Sequence, residues 1–179
     1  MTHRSANELQ EAAVLVPVFR GGDGELRVVL VRRTGGGVHG GQIAFPGGKH
    51  DEGDPSLADT ALREAREEID LEPSRVTVLE TLPVVETVTT GFRIHPFLGR
   101  VSPPPVWRAA PREIAEIMEM TVSGFLDPAL RGEETWSFPE WPAPRRVRFF
   151  RLGEHKLWGA TYRILQPLLP RLVSGEWDF

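Results

Sequence analysis

The chain has 179 residues, 40% hydrophobic and 26% charged, with a formal net charge of −4 and a pI near 5.8. These values fit one ordinary globular domain over residues 1–179 and give no broad basic surface for nucleic acid. The absence of cysteine excludes disulfides and thiolate metal sites, leaves His and carboxylate chemistry, and leans towards a cytoplasmic setting.

Residues 1–10, MTHRSANELQ, are polar, so no secretory leader is expected. No apolar run reaches the roughly 20 residues of a membrane span. Residues 12–19 and 26–31 are short, β-branched-rich runs separated by Gly21-Gly22-Asp23-Gly24, and they read as a strand pair. Residues 35–41, GGGVHGG, form a loop on composition alone. Asp54-Pro55 then predicts a helix start, with aspartate as N-cap and proline at the first helical position. Behind it Leu57, Ala61, Leu62, Ala65 and Ile69 recur at helical spacing as one apolar stripe.

Residues 76–82 and 92–101 read as further strands, and the proline-rich 103–111 as an extended connector. Residues 113–120, EIAEIMEM, fit both periods and are taken as strand. Residues 146–152 alternate cleanly. A C-terminal helix begins at 159–166, where Pro167 and Pro170 are expected to disturb or end it. Many strands with one internal and one terminal helix make an α/β or α+β sandwich with a mixed sheet, rather than a doubly wound βαβ repeat.

Within the internal helix, Glu64, Glu67 and Glu68 crowd into little more than one turn. Read alone, Arg63-Glu64-Ala65-Arg66-Glu67-Glu68 is a solvated face laced by ion pairs such as Arg63 with Glu67. Yet Glu64 and Glu68 are like charges one turn apart, a repulsion of roughly 0.2–0.5 kcal/mol unless a cation lies between them. The tight loop Phe45-Pro46-Gly47-Gly48 precedes them and offers carbonyls. A hard oxygen cluster of this kind suits Mg²⁺ or Mn²⁺ and scarcely suits zinc.

Gly48, Asp54, Arg63-Glu64-Ala65-Arg66-Glu67-Glu68 and Leu71 together resemble the signature of the Nudix hydrolases, G-x5-E-x7-R-E-U-x-E-E-x-G-U, where U is a bulky aliphatic. Asp54 stands for the first Glu with eight residues following instead of seven, Ala65 is small, and Asp70 occupies the glycine position, where a left-handed helix end, which Asp tolerates less well than Gly, is expected. The stretches HGGQIAFPGGKHD (39–51), TGFRIHPFLGRV (90–101), EIAEIMEM (113–120) and LWGATYRIL (157–165) are similar to the coenzyme A pyrophosphatase branch of that superfamily. Upstream, Leu30-Val31-Arg32-Arg33-Thr34 matches the branch loosely, and the loop Arg it carries is absent, with Val38 nearby.

The resemblance implies a Nudix-type α/β/α sandwich with a catalytic loop and helix. Glu64 and Glu68 would hold Mg²⁺ or Mn²⁺, with Glu67 as ligand or water partner and a Gly47 or Gly48 carbonyl completing the shell. Arg63 would be structural, tying the helix to Glu67 or Asp54. The general base stays open among Glu67, Glu113 and Glu116. The implied reaction splits coenzyme A into 4′-phosphopantetheine and adenosine 3′,5′-bisphosphate. Pyrophosphatases for ADP-ribose, NADH or another nucleoside diphosphate derivative share the same signature, and a binding module without turnover is the alternative from another class. Arg32, Arg33, Lys49, Arg93 and Arg148 are candidates for phosphate contact, Phe45 for stacking on a base, and His39 and His95 for polar contacts. Trp136, Phe138 and Trp141 in the segment 132–143 would cap a nucleotide, form a homodimer contact, or simply pack.

Overall fold

The computed structural model describes residues 9–35, 41–87, 89–102 and 106–179. Its centre is a mixed eight-stranded sheet. Strands β1 (Gln10–Arg20) and β2 (Leu26–Arg33) form the expected hairpin, with Val18 opposite Val28. Beyond the hairpin the two strands diverge. The first half of β1 pairs instead with β4 (Gly47–Lys49), while β2 takes β3 (Ile43–Ala44) at its end. On its other edge β1 runs parallel to β7 (Phe92–Val101), which also carries β5 (Val76–Thr81) and β6 (Val85–Thr87). Residues 114–121 resolve the ambiguous period as strand β8, antiparallel to β2.

A separate three-stranded sheet joins β9 (Arg131–Trp136), β10 (Arg145–Leu152) and β11 (His155–Leu157). The short strands β3, β4, β6, β9 and β11 escape periodicity because two or three residues cannot display an alternation, and β9 is half charged.

Strand alternation divides the core between two helices. Ala13, Leu15, Phe19, Val29 and Val31 pack with helix α1 (Leu57–Ile69). Val16, Val18, Val28 and Leu30 face the other way, towards helix α2 (Gly159–Val173) and β10. This is the expected sandwich. The stripe on α1 is as read from the sequence, with Ala61, Ala65 and Ile69 fully buried.

Two helix boundaries differ from expectation. Ser56, not Asp54, is the N-cap of α1: its hydroxyl accepts from the Asp59 amide at 3.1 Å and donates to the Asp59 carboxylate at 2.6 Å. That reciprocal cap releases Asp54 for another partner. Helix α2 runs through Pro167 and Pro170 instead of ending there. Both prolines lie on the exposed face, so the carbonyls they free meet water, while Ile164, Leu165, Leu168, Leu169 and Leu172 keep the opposite face buried.

Helix α1 ends as the missing glycine implies. Asp70 adopts φ 59° and ψ 34°, and its amide donates to the carbonyls of Ala65 and Arg66. Among the described residues it is the one non-glycine with positive φ. The left-handed conformation costs an L-residue about 1–2 kcal/mol, partly offset against glycine by roughly 0.5–1 kcal/mol of unfolded-chain entropy. Asp70→Gly is therefore expected to stabilise the protein by about 0.5 kcal/mol, read as a higher denaturation midpoint; a lower midpoint would contradict the strain.

Candidate active site

Helix α1 lies on β1 and β4, so its carboxylates meet the loop that β4 carries. Glu68 is the deepest of them, 1% exposed. Its Oε2 accepts the Gly47 amide at 3.1 Å, and its Oε1 lies 2.8 Å from the Arg33 guanidinium. Arg33, however, aims that N–H at the Gly47 carbonyl, 2.7 Å away. The charges touch, but the bond points elsewhere. Among the described residues, Glu68 Oε1 is the one buried side-chain oxygen or nitrogen left without a hydrogen bond. Burial pushes the Glu68 carboxyl up to about 7, against the pull of Arg33 and the Gly47 amide, and Glu64 and Glu113 add to the rise.

Glu64 sits over Gly48, its carboxylate filling the space where a Cβ would stand. Any side chain at Gly48 would displace it. Burial raises its pKa too, in spite of Arg63. Glu67 is more exposed and bonds to Arg63 at 3.2 Å.

Arg63 organises the loop. Its Nε and Nη2 grip the two oxygens of Asp54 at 2.9 and 3.0 Å, and it reaches Glu64 at 3.0 Å and the Lys49 carbonyl at 3.2 Å. This fork holds the Asp54 carboxyl well below the usual carboxylate range. Buried Thr60 adds a bond to Asp54 at 2.8 Å and a contact to His50 Nδ1 at 2.7 Å. Asp54, a cap in the sequence reading, is thus the anchor for the arginine.

A hard divalent cation fits the donors present. Two half-buried or buried carboxylates, one with an orphaned oxygen, adjoin a glycine loop and no soft ligand. Among the described residues no three His or acidic side chains form a ready ligand cluster, so waters and substrate oxygens would complete the shell, as Mg²⁺ favours.

The remaining candidates scatter. Arg32 pairs with Glu116 at 3.1 Å on the sheet face opposite α1. Arg33 is bound into the foundation beneath Glu68. Phe45 is 1% exposed within the apolar core, a correction: it has no face to offer a base. Lys49 lies 5.6 Å from the Phe92 ring centroid. Arg93 bonds to Glu86 and Glu11 at 2.9 and 3.2 Å, His95 to Glu11 at 2.6 Å, and Arg148 to Glu133 at 2.9 Å. Glu113 lies near enough for its charge to act on Glu68. His39 and Val38 fall outside the described residues. Trp136 stacks on Phe149 and Phe138 on Trp158, with centroids 5.7 and 5.8 Å apart, so these aromatics pack the small sheet. The structure bears out both ties that the signature implied for Arg63, to Asp54 and to Glu67.

An acid whose folded pKa lies above its unfolded one binds its proton more tightly when folded, so Glu68 favours folding at low pH. In metal-free protein its contribution is expected to be lost as pH rises from 4.5 to about 7. Glu68→Gln carries no such charge. Its stability relative to the parent should therefore improve across that window, and a flat difference in melting temperature from pH 4 to 8 would refute the buried charge.

Comparison with known proteins gives the chain's family and agrees with its fold. The family model of the NUDIX domain matches residues 9–141. The chain is 36% identical to the protein named Uncharacterized Nudix hydrolase NudL of Salmonella dublin, over 94% of this chain and 85% of that protein. Its fold is similar to the crystal structure of the M. smegmatis Nudix hydrolase RenU (TM-score 0.65, 18% identity, 96% of this chain and 89% of that one). It is also similar to a C. elegans Ap4A hydrolase (TM-score 0.55, 20% identity, 68% and 86%). The chain belongs to the Nudix hydrolases, enzymes that hydrolyse pyrophosphate bonds in nucleoside diphosphate derivatives and generally use divalent metal ions.

Proposed function

We propose that this protein is a Mg²⁺- or Mn²⁺-dependent pyrophosphatase that cleaves the diphosphate of coenzyme A or its derivatives, releasing 4′-phosphopantetheine and adenosine 3′,5′-bisphosphate. The observation that carries the metal-dependent chemistry is the orphaned Oε1 of buried Glu68 beside Glu64. A buried carboxylate oxygen that accepts no hydrogen bond is costly even with the Arg33 charge beside it, and a cation relieves both that cost and the mutual repulsion of the two acids. The stretches FPGGKHD and LWGATYRIL support coenzyme A within the family.

In this reading Glu64 and Glu68 hold the ion, with the Gly47–Gly48 backbone beside them. When bound, such an ion neutralises phosphate charge and lowers the pKa of a coordinated water. Arg63 keeps Glu64 and the loop in place through Asp54. Of the three candidate bases, Glu116 lies on the far sheet face with Arg32, and Glu67 is tied to Arg63. Glu113, whose charge is felt at Glu68, is the better placed to take the proton from the attacking water.

Turnover of coenzyme A, ADP-ribose and NADH, measured with Mg²⁺, Mn²⁺ and EDTA, tests the reading. Activity is expected to vanish in EDTA and to fall by about 100-fold or more in Glu68→Gln, which keeps the side chain's shape but loses its charge. A kcat/KM for ADP-ribose or NADH about tenfold above that for coenzyme A would overturn the substrate assignment.

A further inference from the structure

The two arginines that end β2 point to opposite faces of the sheet. Arg33 turns towards α1 and Glu68; Arg32 turns the other way and meets Glu116 of β8. From Glu116 a cleft of about 350 Å³ runs along β8 beneath the β10–β11 turn. Met118, Met120 and Leu152 floor it, and Glu116, Glu154 and His155 stand at its rim. Its volume is that of a small-molecule pocket. It extends four residues along β8, roughly 13 Å at strand rise, and its near end lies one residue of β2 from the arginine that holds Glu68.

Its chemistry is selective. Two carboxylates against the single guanidinium of Arg32 disfavour a phosphate inside. An uncharged chain with N–H donors is suited to the acid rim and the apolar floor. Met118 and Met120 are half-buried, so their thioethers both pack on the core and face the cleft, and such side chains adapt to a flexible, sulfur-bearing ligand.

We propose that this cleft binds the uncharged, amide-bearing thiol arm of the substrate, the pantetheine half, with the diphosphate at the Arg32–Arg33 end and the arm laid along β8. The assignment rests on coenzyme A being the substrate. Glu116 and Glu154 accept from the arm's amide N–H groups, and the methionines take its thiol or thioester end. The other product half, with three phosphate charges or more, belongs outside.

The chain contains three methionines, Met1, Met118 and Met120, so protein labelled with ¹³C at the methionine methyls reads this cleft almost alone. Pantetheine titrated into the metal-free protein is expected to shift the Met118 and Met120 signals saturably and to leave Met1 unmoved. Single Met118→Leu and Met120→Leu variants assign the signals. Adenosine 3′,5′-bisphosphate is expected to move neither cleft signal. Still methyls up to the solubility limit of pantetheine, or equal shifts with the bisphosphate, would overturn the assignment. The parent reading fails separately: shifts with pantetheine but no hydrolysis of coenzyme A sink the reaction and keep the cleft's ligand. Hydrolysis with still methyls sinks the cleft alone.

Discussion

A carboxylate held in the protein interior with one oxygen left over governs this fold's functional end. Glu68 is 1% exposed, yet its environment supplies one hydrogen bond, from a backbone amide, and a guanidinium whose charge lies beside it while its hydrogen bond goes to the Gly47 carbonyl. Taking a carboxylate out of water costs several kcal/mol unless its oxygens are fully partnered. Its presence, with Glu64 folded over Gly48 one turn away, is a structural cost concentrated where a cation would remove it.

Holding such a site rigid falls to Arg63. Asp54 gives it a two-point anchor, and from there it touches Glu64, Glu67 and the β4 backbone at Lys49. A planar fork with five donors can join a loop and a helix in this way; lysine, a point charge, cannot. The Ser56 cap contributes indirectly, because by closing the helix end it leaves Asp54 outside the helix and free to receive the arginine.

The sheet adds a second organisation. Adjacent residues of a strand face opposite ways, so Arg32 and Arg33 serve different layers although they are neighbours in sequence. One supports the buried acid beneath α1; the other stands at the mouth of the cleft along β8.

Much of this was legible in the chain itself. The alternation of β1, β2, β7 and β10, the apolar stripe of α1 and the crowded acids at Glu64, Glu67 and Glu68 follow from local pattern, because period and spacing fix which side chains share a face. The left-handed end at Asp70 was also anticipated, since the glycine position of the motif marks a backbone that must turn. What the tertiary structure decided depends on partners remote in sequence. Arg33 serving Glu68, Phe45 sinking into the core and α2 running on past two prolines are all set by what packs opposite. No window of sequence contains both members of such a pair, and the free energy that selects them arises only when the layers close.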